Sequence, residues 1–337
     1  MLPGEKDIMI QLTDYLYNGD TLFHILHKYA TDLQEDAKRT GNPIDSRHAA
    51  FLFGMSDMLE HNDFLTSQSQ RIREFYKYMA AKYPHLAFTF RGRIKSLIRT
   101  EEKFNGYIVS YIYDYYVKNH AFPDMDSIPE QVGRFRDLIA YRIVLSMPKC
   151  HLREGDDREE VEENLLYEIA DILPGFLRER GFTPEALPKN SPLISTRLDP
   201  SVQPYYKDYI EHPSDLGYRS LHIVFFDEQA GSYTEVQLRT KQMDDFAEIG
   251  DANHDEYEHS QEKQRSRRKA LPVGACPVFD EAYERVVSLQ NLDLSRVDVN
   301  MFSALDNLRI NDGCGLYFGR LILPYEHLSR FQNDQID

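Results

Sequence analysis

The chain has 337 residues, 42% of them hydrophobic and 28% charged, which suits a folded globular protein and excludes a disordered or fibrous one. A formal net charge of −16 argues against general binding to nucleic acid, so any nucleotide site must be a local concentration of cations. No apolar run is long enough to cross a bilayer and no signal pattern opens the chain; the scattered Cys150, Cys276 and Cys314 form no metal-type pair and suit a reducing compartment. The expectation is a cytoplasmic protein with no membrane partner.

In chain order, residues 1–82 read as a helical region, with apolar residues spaced by three and four in Thr21–Leu33 and Ser67–Lys82. Asp45-Ser46-Arg47-His48 reads as a helix opening, with His48 an ordinary surface or capping-region residue. Tyr83-Pro84 ends this part, because proline disfavours helix in the residue before it. The period then changes to two: Leu86, Phe88, Phe90 and Ile94 alternate with Thr89, Arg91, Arg93 and Lys95. Ser96 to Asn119 reads as a buried helix, Asp137 to Ser146 as a buried strand, and Asp156 to Arg180 as an amphipathic helix. Tyr218–Phe226 and Tyr233–Thr240 read as an antiparallel hairpin, followed by a helix over 241–262. From Ala270 onward the pattern gives a helix and a strand-like piece around Gly313 to Leu323. The expected fold class is α/β (α+β), a mixed β-sheet flanked by helices, divided into a helical region 1–82, a central domain 83–262 and an extension 263–337.

Three places concentrate chemistry. Arg91, Arg93 and Lys95 project together, and Lys95, Arg99 and Lys103 follow at i, i+4 spacing. Clustered cations repel one another unless an anion sits among them; a triphosphate fits, and so does pairing with the chain's many carboxylates. On the hairpin, Tyr218, Ser220 and His222 share a face, as do Tyr233, Glu235, Gln237 and Arg239. Superposed, these faces give either a concave polar site or the solvent side of a half-exposed sheet. Asp137 opens an apolar strand just after Arg134 and Arg136, which suits either a Mg²⁺ ligand or a strand-start residue. A second basic run, Lys263 to Lys269, reads as a solvated surface unless something else supports it.

Taken together, these segments resemble the synthetases of the RelA/SpoT family. Gly92-Arg93-Ile94-Lys95 with Lys103 is similar to their opening phosphate-binding motif, and Asp137 to Arg142 to their metal-binding strand. Lys207-Asp208-Tyr209-Ile210, Pro213 and Gly217 to His222 resemble their acceptor loop. Glu235 to Thr240, followed by Met243, Ala247-Glu248 and His254, resembles their catalytic strand and following helix. The resemblance runs from about Tyr83 to His259 and implies a sheet of nucleotidyltransferase-like type.

It also implies roles. Asp137 and Glu235 hold Mg²⁺, and Glu235 helps to deprotonate the attacking 3′-hydroxyl. Arg93, Lys95, Arg99, Lys103 and Arg239 serve ATP and its phosphates, while Lys207, Tyr218 and His222 serve the acceptor. The implied activity is transfer of the β,γ-pyrophosphate of ATP to GDP or GTP. Alternatives are transfer to the 3′-end of tRNA, with the 263–269 run on its phosphates, and a catalytically silent nucleotide-binding module. Arg99 stands where many members have Ser, Ala140 where they have Gly, Ser214 where they have Lys and Leu216 where they have Asn. The acceptor side has thus lost a cation and an amide. The one His-Asp dipeptide, His254-Asp255, follows the catalytic strand, so no hydrolase domain is expected. The flanks are the expected place for self-association or a protein regulator.

Overall fold

The computed structural model describes residues 9–60, 63–128, 135–215, 217–249, 262–300, 316–317 and 320–321. Contacts divide the chain into two units, each assembled from separated stretches: a helical unit within 1–61, 95–134 and 260–324, and a sheet unit within 62–94, 135–259 and 325–337.

In the helical unit, α1 (Leu22–Thr40) is capped by Thr21, whose hydroxyl accepts the His24 N–H, and stops at Gly41 in the left-handed region at φ 74°. Helix α2 (Pro43–Glu60) packs against it and starts on proline after Asn42, whose side chain accepts the Ile44 N–H at 3.0 Å. Another helix of this unit, Leu97–Asn119, is capped by Ser96 and packs against a helix over Pro277–Gln290. The short strand pieces 316–317 and 320–321 fall in the stretch read as strand-like.

The interior of this unit is polar at its centre. The Tyr29 hydroxyl donates to Glu101 Oε1 at 2.7 Å, Asn105 donates to the same oxygen at 2.9 Å, and His48 Nε2 lies 2.7 Å from Glu101 Oε2. Arg285 donates to Asp45 at 2.7 and 3.3 Å. The surface reading of His48 is therefore overturned: its side chain is fully buried and its ring stacks on Phe104 at 4.1 Å. The helix opens at Pro43, earlier than Asp45-Ser46 suggests, which sets His48 in its second turn and facing inward. Burial alone would raise the Glu101 carboxyl, but His48, Tyr29 and Arg285 together outweigh it and hold it below its ordinary value.

The sheet unit contains α3 (Asp63–Lys82), β1 (Ala87–Ile94), β2 (Ile139–Ser146), α5 (Arg158–Arg178), β3 (Phe182–Pro184), β4 (Tyr206–Asp208), β5 (Leu221–Asp227), β6 (Ser232–Thr240) and α6 (Lys241–Ile249), with α4 and α7 denoting the Leu97 and Pro277 helices above. The sheet order is β1-β2-β6-β5-β3, and β4 also pairs with β5. Within this sheet the β2–β6 pairing is parallel and the other pairings described are antiparallel. This is the expected mixed sheet with helices. The strands β3 and β4, three residues each, are additions to the sequence reading: they are too short to show a period, and Pro184 is tolerated because β3 is an edge strand.

Period two sorts the sheet into two faces. Phe88, Phe90, Tyr141, Ile143, Val236, Leu238, Ile223 and Phe225 are buried on one of them. Helices α3 and α5 cover that face: the Tyr141 hydroxyl donates to Gln68 of α3 at 2.9 Å, and the Tyr206 hydroxyl donates to the Ala170 carbonyl of α5 at 2.7 Å. The other face carries the polar residues.

Replacing Arg285 by Ala leaves Asp45 buried without its partner and should cost about 3–5 kcal/mol in urea unfolding. Because the folded Glu101 value is depressed, its contribution is complete above the unfolded value of 4.5 and is lost as the pH falls through the folded value. The urea midpoint should fall on acidification below pH 4.5, and Glu101→Gln should flatten that fall. A wild-type acid profile unchanged by Glu101→Gln would refute the account.

Candidate active site

Strand register places Arg91, Arg142, Gln237, His222 and Lys207 at one level across β1, β2, β6, β5 and β4. At the next level, Arg93 pairs with Ala140 and Ala140 with Glu235. The reading of this face as the solvent side of a half-exposed sheet does not hold for β6: Glu235 is 7% exposed, Gln237 4% and Arg239 3%. Three polar side chains in succession on one strand face are buried, and such groups are costly unless they satisfy one another.

They do so as a continuous chain. Gln237 Nε2 donates to Glu235 Oε2 at 2.6 Å, and Arg239 donates to Gln237 Oε1 at 3.0 Å. His222 Nδ1 lies 3.1 Å from Glu235 Oε1, its Nε2 lies 2.8 Å from the Tyr218 hydroxyl, and Arg239 also donates to that hydroxyl. One proton assignment satisfies every contact: Nδ1–H donates to Glu235, the Tyr218 O–H donates to Nε2, and the phenol oxygen accepts from Arg239. The Arg239 guanidinium lies over the Tyr218 ring at 5.0 Å. Burial pushes the Arg239 pKa below the usual guanidinium value and Arg142 adds to that, while Tyr218 and Asp244 oppose it.

Asp244 belongs to this site, and sequence reasoning missed it. It is buried in the first turns of α6, with Oδ1 3.0 Å from Arg142 and 3.2 Å from Arg239, and Oδ2 3.9 Å from Arg91. Thr240 starts α6 by accepting the Met243 N–H at 3.3 Å, which turns the chain from strand into helix and brings Asp244 back over the polar face. The available signal was a carboxylate five residues after Arg239, across a change of period. Arg142 and Gln237 were likewise read as parts of motifs and not as site residues.

The acceptor segment departs from the expected strand. Strand β5 begins at Leu221, not Tyr218, because Tyr218 closes a turn on Ser214. The Tyr218 N–H donates to Ser214 Oγ at 3.2 Å, the Ser214 N–H donates to the Tyr218 carbonyl at 3.3 Å, and Gly217 sits at φ 76°. Ser214, where the family has Lys, thus closes the loop. Leu216 and His254 lie outside the described residues, as do the Arg93 and Glu248 side chains and the 250–261 part of the expected helix.

The remaining expected donor residues belong to the helical unit. Lys95 precedes α4, Arg99 pairs with Glu102 at 2.8 Å, and Lys103 lies over the Tyr107 ring at 5.5 Å. In the basic run, Arg268 pairs with Asp280 at 3.2 Å and Arg267 donates to Ser110. Those two arginines are committed within the unit rather than solvated.

Among the described residues, no group of three or more His, Cys, Asp or Glu gathers to hold a metal. Asp137 lies two residues before Ile139, whose partner on the adjacent parallel strand is Thr234, next to Glu235. Two hard carboxylates toward the same end of neighbouring strands fit Mg²⁺, which takes one or two carboxylates and fills its shell from phosphates and water.

A mixed sheet with helices on one face and a buried acid, imidazole, phenol and guanidinium chain on the other defines a domain with an enzyme-like polar site. Residues 183–262 match the family described as "Region found in RelA / SpoT proteins". The chain is 30% identical over 190 residues to "Probable GTP diphosphokinase CRSH, chloroplastic" of Arabidopsis thaliana, covering 50% of this chain and 32% of that one. It is 48% identical over 64 residues to "Probable GTP diphosphokinase RSH2, chloroplastic" of Oryza sativa subsp. japonica, covering 19% and 9%. It therefore spans about a third or less of these relatives' lengths. Among solved structures, the small alarmone synthetase 1 from Bacillus subtilis aligns at 18% identity over 72% of this chain and 90% of that one, with a TM-score of 0.28.

Replacing Gly217 by Ala forces a side chain into the left-handed region, although the new Cβ would meet Phe246 only at an ordinary 3.6 Å. The cost is therefore in the backbone, about 1–2 kcal/mol, and should appear as a lower urea midpoint at unchanged slope.

Proposed function

We propose that the chain is an ATP-dependent pyrophosphokinase acting on GDP or GTP. The observation that carries this reading is the buried Glu235–Gln237–Arg239 ladder, joined to His222 and Tyr218 on the face to which strand register assigns Arg91 and Arg93 of β1. The RelA/SpoT match over 183–262 supports it.

In this reading the acceptor's 3′-oxygen attacks the β-phosphorus of ATP, the bond between the α- and β-phosphates breaks, and AMP leaves. Glu235 takes the proton from the 3′-hydroxyl. His222 and Gln237 each hold one of its oxygens, so the carboxylate is aimed before substrate arrives. Asp137 and Glu235 would hold Mg²⁺, whose charge when bound offsets the negative charge on the transferred group. Arg93 serves ATP phosphates, and Lys207 those of the acceptor. Arg239 lies over one face of the Tyr218 ring, and the other takes the acceptor base, a contact worth about 1–3 kcal/mol that tolerates any base. Such transfer needs alignment and fixed positive charge more than covalent chemistry from the protein.

Transfer to tRNA is the second reading, and the 263–269 run is its sole support. The commitment of Arg267 and Arg268 within the helical unit weighs against it.

The test is incubation with γ-labelled ATP and separate GDP, GTP and tRNA acceptors, scoring labelled acceptor and AMP. Glu235→Gln should lose transfer by several orders of magnitude while remaining folded by circular dichroism, with at most a lowered melting temperature. Near-normal AMP production by the folded variant would sink the assignment. Label on tRNA alone, abolished by replacing Arg265, Arg267 and Arg268 with Glu, would move the function to the second reading.

A further inference from the structure

Asp244 has a geometry that the proposed chemistry does not use. Its carboxylate is buried, and one oxygen is shared between Arg142 at 3.0 Å and Arg239 at 3.2 Å. The other oxygen faces Arg91 at 3.9 Å, and the Arg91 side chain is 43% exposed. Three guanidiniums from three adjacent strands thus converge on one carboxylate. Two roles fit a carboxylate so placed: a counter-ion that an incoming phosphate displaces, or a fixed post that holds the arginines in position.

The burial decides between them. Arg239 is 3% exposed, and Ser220, Gln237 and Tyr218 accept its other donors. A ligand anion cannot take Asp244's place on Arg239 without opening that packing. Arg91 is exposed and at the edge of ion-pair range, so it is free to turn to a ligand while Asp244 stays. Arg142 lies between them, in register with Arg91 on one side and Gln237 on the other. Without the carboxylate, Arg142 and Arg239 would face each other as like charges at short range.

We propose that Asp244 is a positioning residue for nucleotide binding, fixing Arg142 toward the donor nucleotide and keeping Arg239 turned to Tyr218, with Arg91 left to turn to the ligand. This rests on the reading of the polar face as the ATP site. One carboxylate would then align the donor side and the acceptor side together, since the same chain of bonds continues through Tyr218 and His222 to Glu235.

The experiment is calorimetric titration with α,β-methylene-ATP and Mg²⁺, in which the bond to be broken is blocked. It compares the full-length wild type with Asp244→Asn, Arg142→Ala and the double variant, each checked by circular dichroism and melting temperature. Asp244→Asn should bind at least fivefold more weakly, and the double variant should be no weaker than the weaker single one. In transfer assays the KM for ATP should rise by more than kcat falls. Removing a merely competing counter-ion would instead tighten binding, so equal or tighter binding by Asp244→Asn overturns the proposal, as do losses that multiply in the double variant. Should Asp244→Asn fail to fold, Asp244→Glu keeps the charge and displaces it by one methylene; wild-type affinity in that variant overturns the proposal equally. Wild-type protein that fails to bind the analogue would sink the donor-site reading itself, whereas wild-type binding with an indifferent Asp244→Asn sinks only the positioning role.

Discussion

Burial of the Arg239 guanidinium is the constraint around which the polar half of the sheet unit is built. A desolvated positive charge is tolerated only when its donors are met and a carboxylate is near. Here Ser220 accepts from Nε, Asp244 from one terminal nitrogen, and Tyr218 and Gln237 from the other. These four partners fix three pieces of chain: Tyr218 and Ser220 the loop before β5, Asp244 the first turns of α6, and Gln237 the middle of β6. The loop geometry at Ser214 and Gly217 follows from where Tyr218 must stand to reach this guanidinium.

The same constraint sets register. A one-residue slip of β6 would carry Glu235, Gln237 and Arg239 to the face covered by α3 and α5, and Val236 and Leu238 to the polar side. Both faces therefore specify the alignment, one by apolar packing and the other by paired polar groups. The parallel pairing of β2 with β6 brings Arg142 beside Gln237, and antiparallel β1 adds Arg91 at the same level. In a chain of net charge −16, this face gathers Arg91, Arg142, Arg239 and Lys207 against Glu235 and Asp244. That is the local cation concentration that the overall composition requires of any nucleotide site.

Strands and their polar faces were legible because period two is a local property: alternation of Phe88 and Phe90 with Thr89 and Arg91, or of Val236 and Leu238 with Glu235 and Gln237, is visible within a few residues. The motif residues Glu235, His222 and Tyr218 meet on one face, which is one of the two arrangements that their pattern left open. What was not legible depends on pairings that no local pattern carries. Asp244 reaches Arg142 only because β6 turns into α6 at Thr240. Asp45 and Arg285 are 240 positions apart, and His48 looked ordinary because its partner Glu101 lies on another helix. The depth of burial of the β6 polar residues was also invisible, since alternation alone reads equally well as a solvated face.

The replacement at position 214 shows how a loop and a ligand can compete for one residue. A lysine there would carry a charge outward on a long, mobile stem, whereas Ser214 turns its short side chain inward to accept the Tyr218 N–H. The loop gains a closing bond and loses a cation. Tyr218 is held from three directions, by Ser214 at its backbone and by His222 and Arg239 at its hydroxyl. In the proposed function, a ring fixed in this way would lose little freedom when a base stacks on it, which would offset part of the charge–phosphate contact that a lysine at 214 could make. Affinity for the proposed acceptor would then depend more on stacking and less on charge. Because stacking tolerates any base, the guanine preference proposed for this site would have to come from polar groups beside Tyr218 rather than from Tyr218 itself.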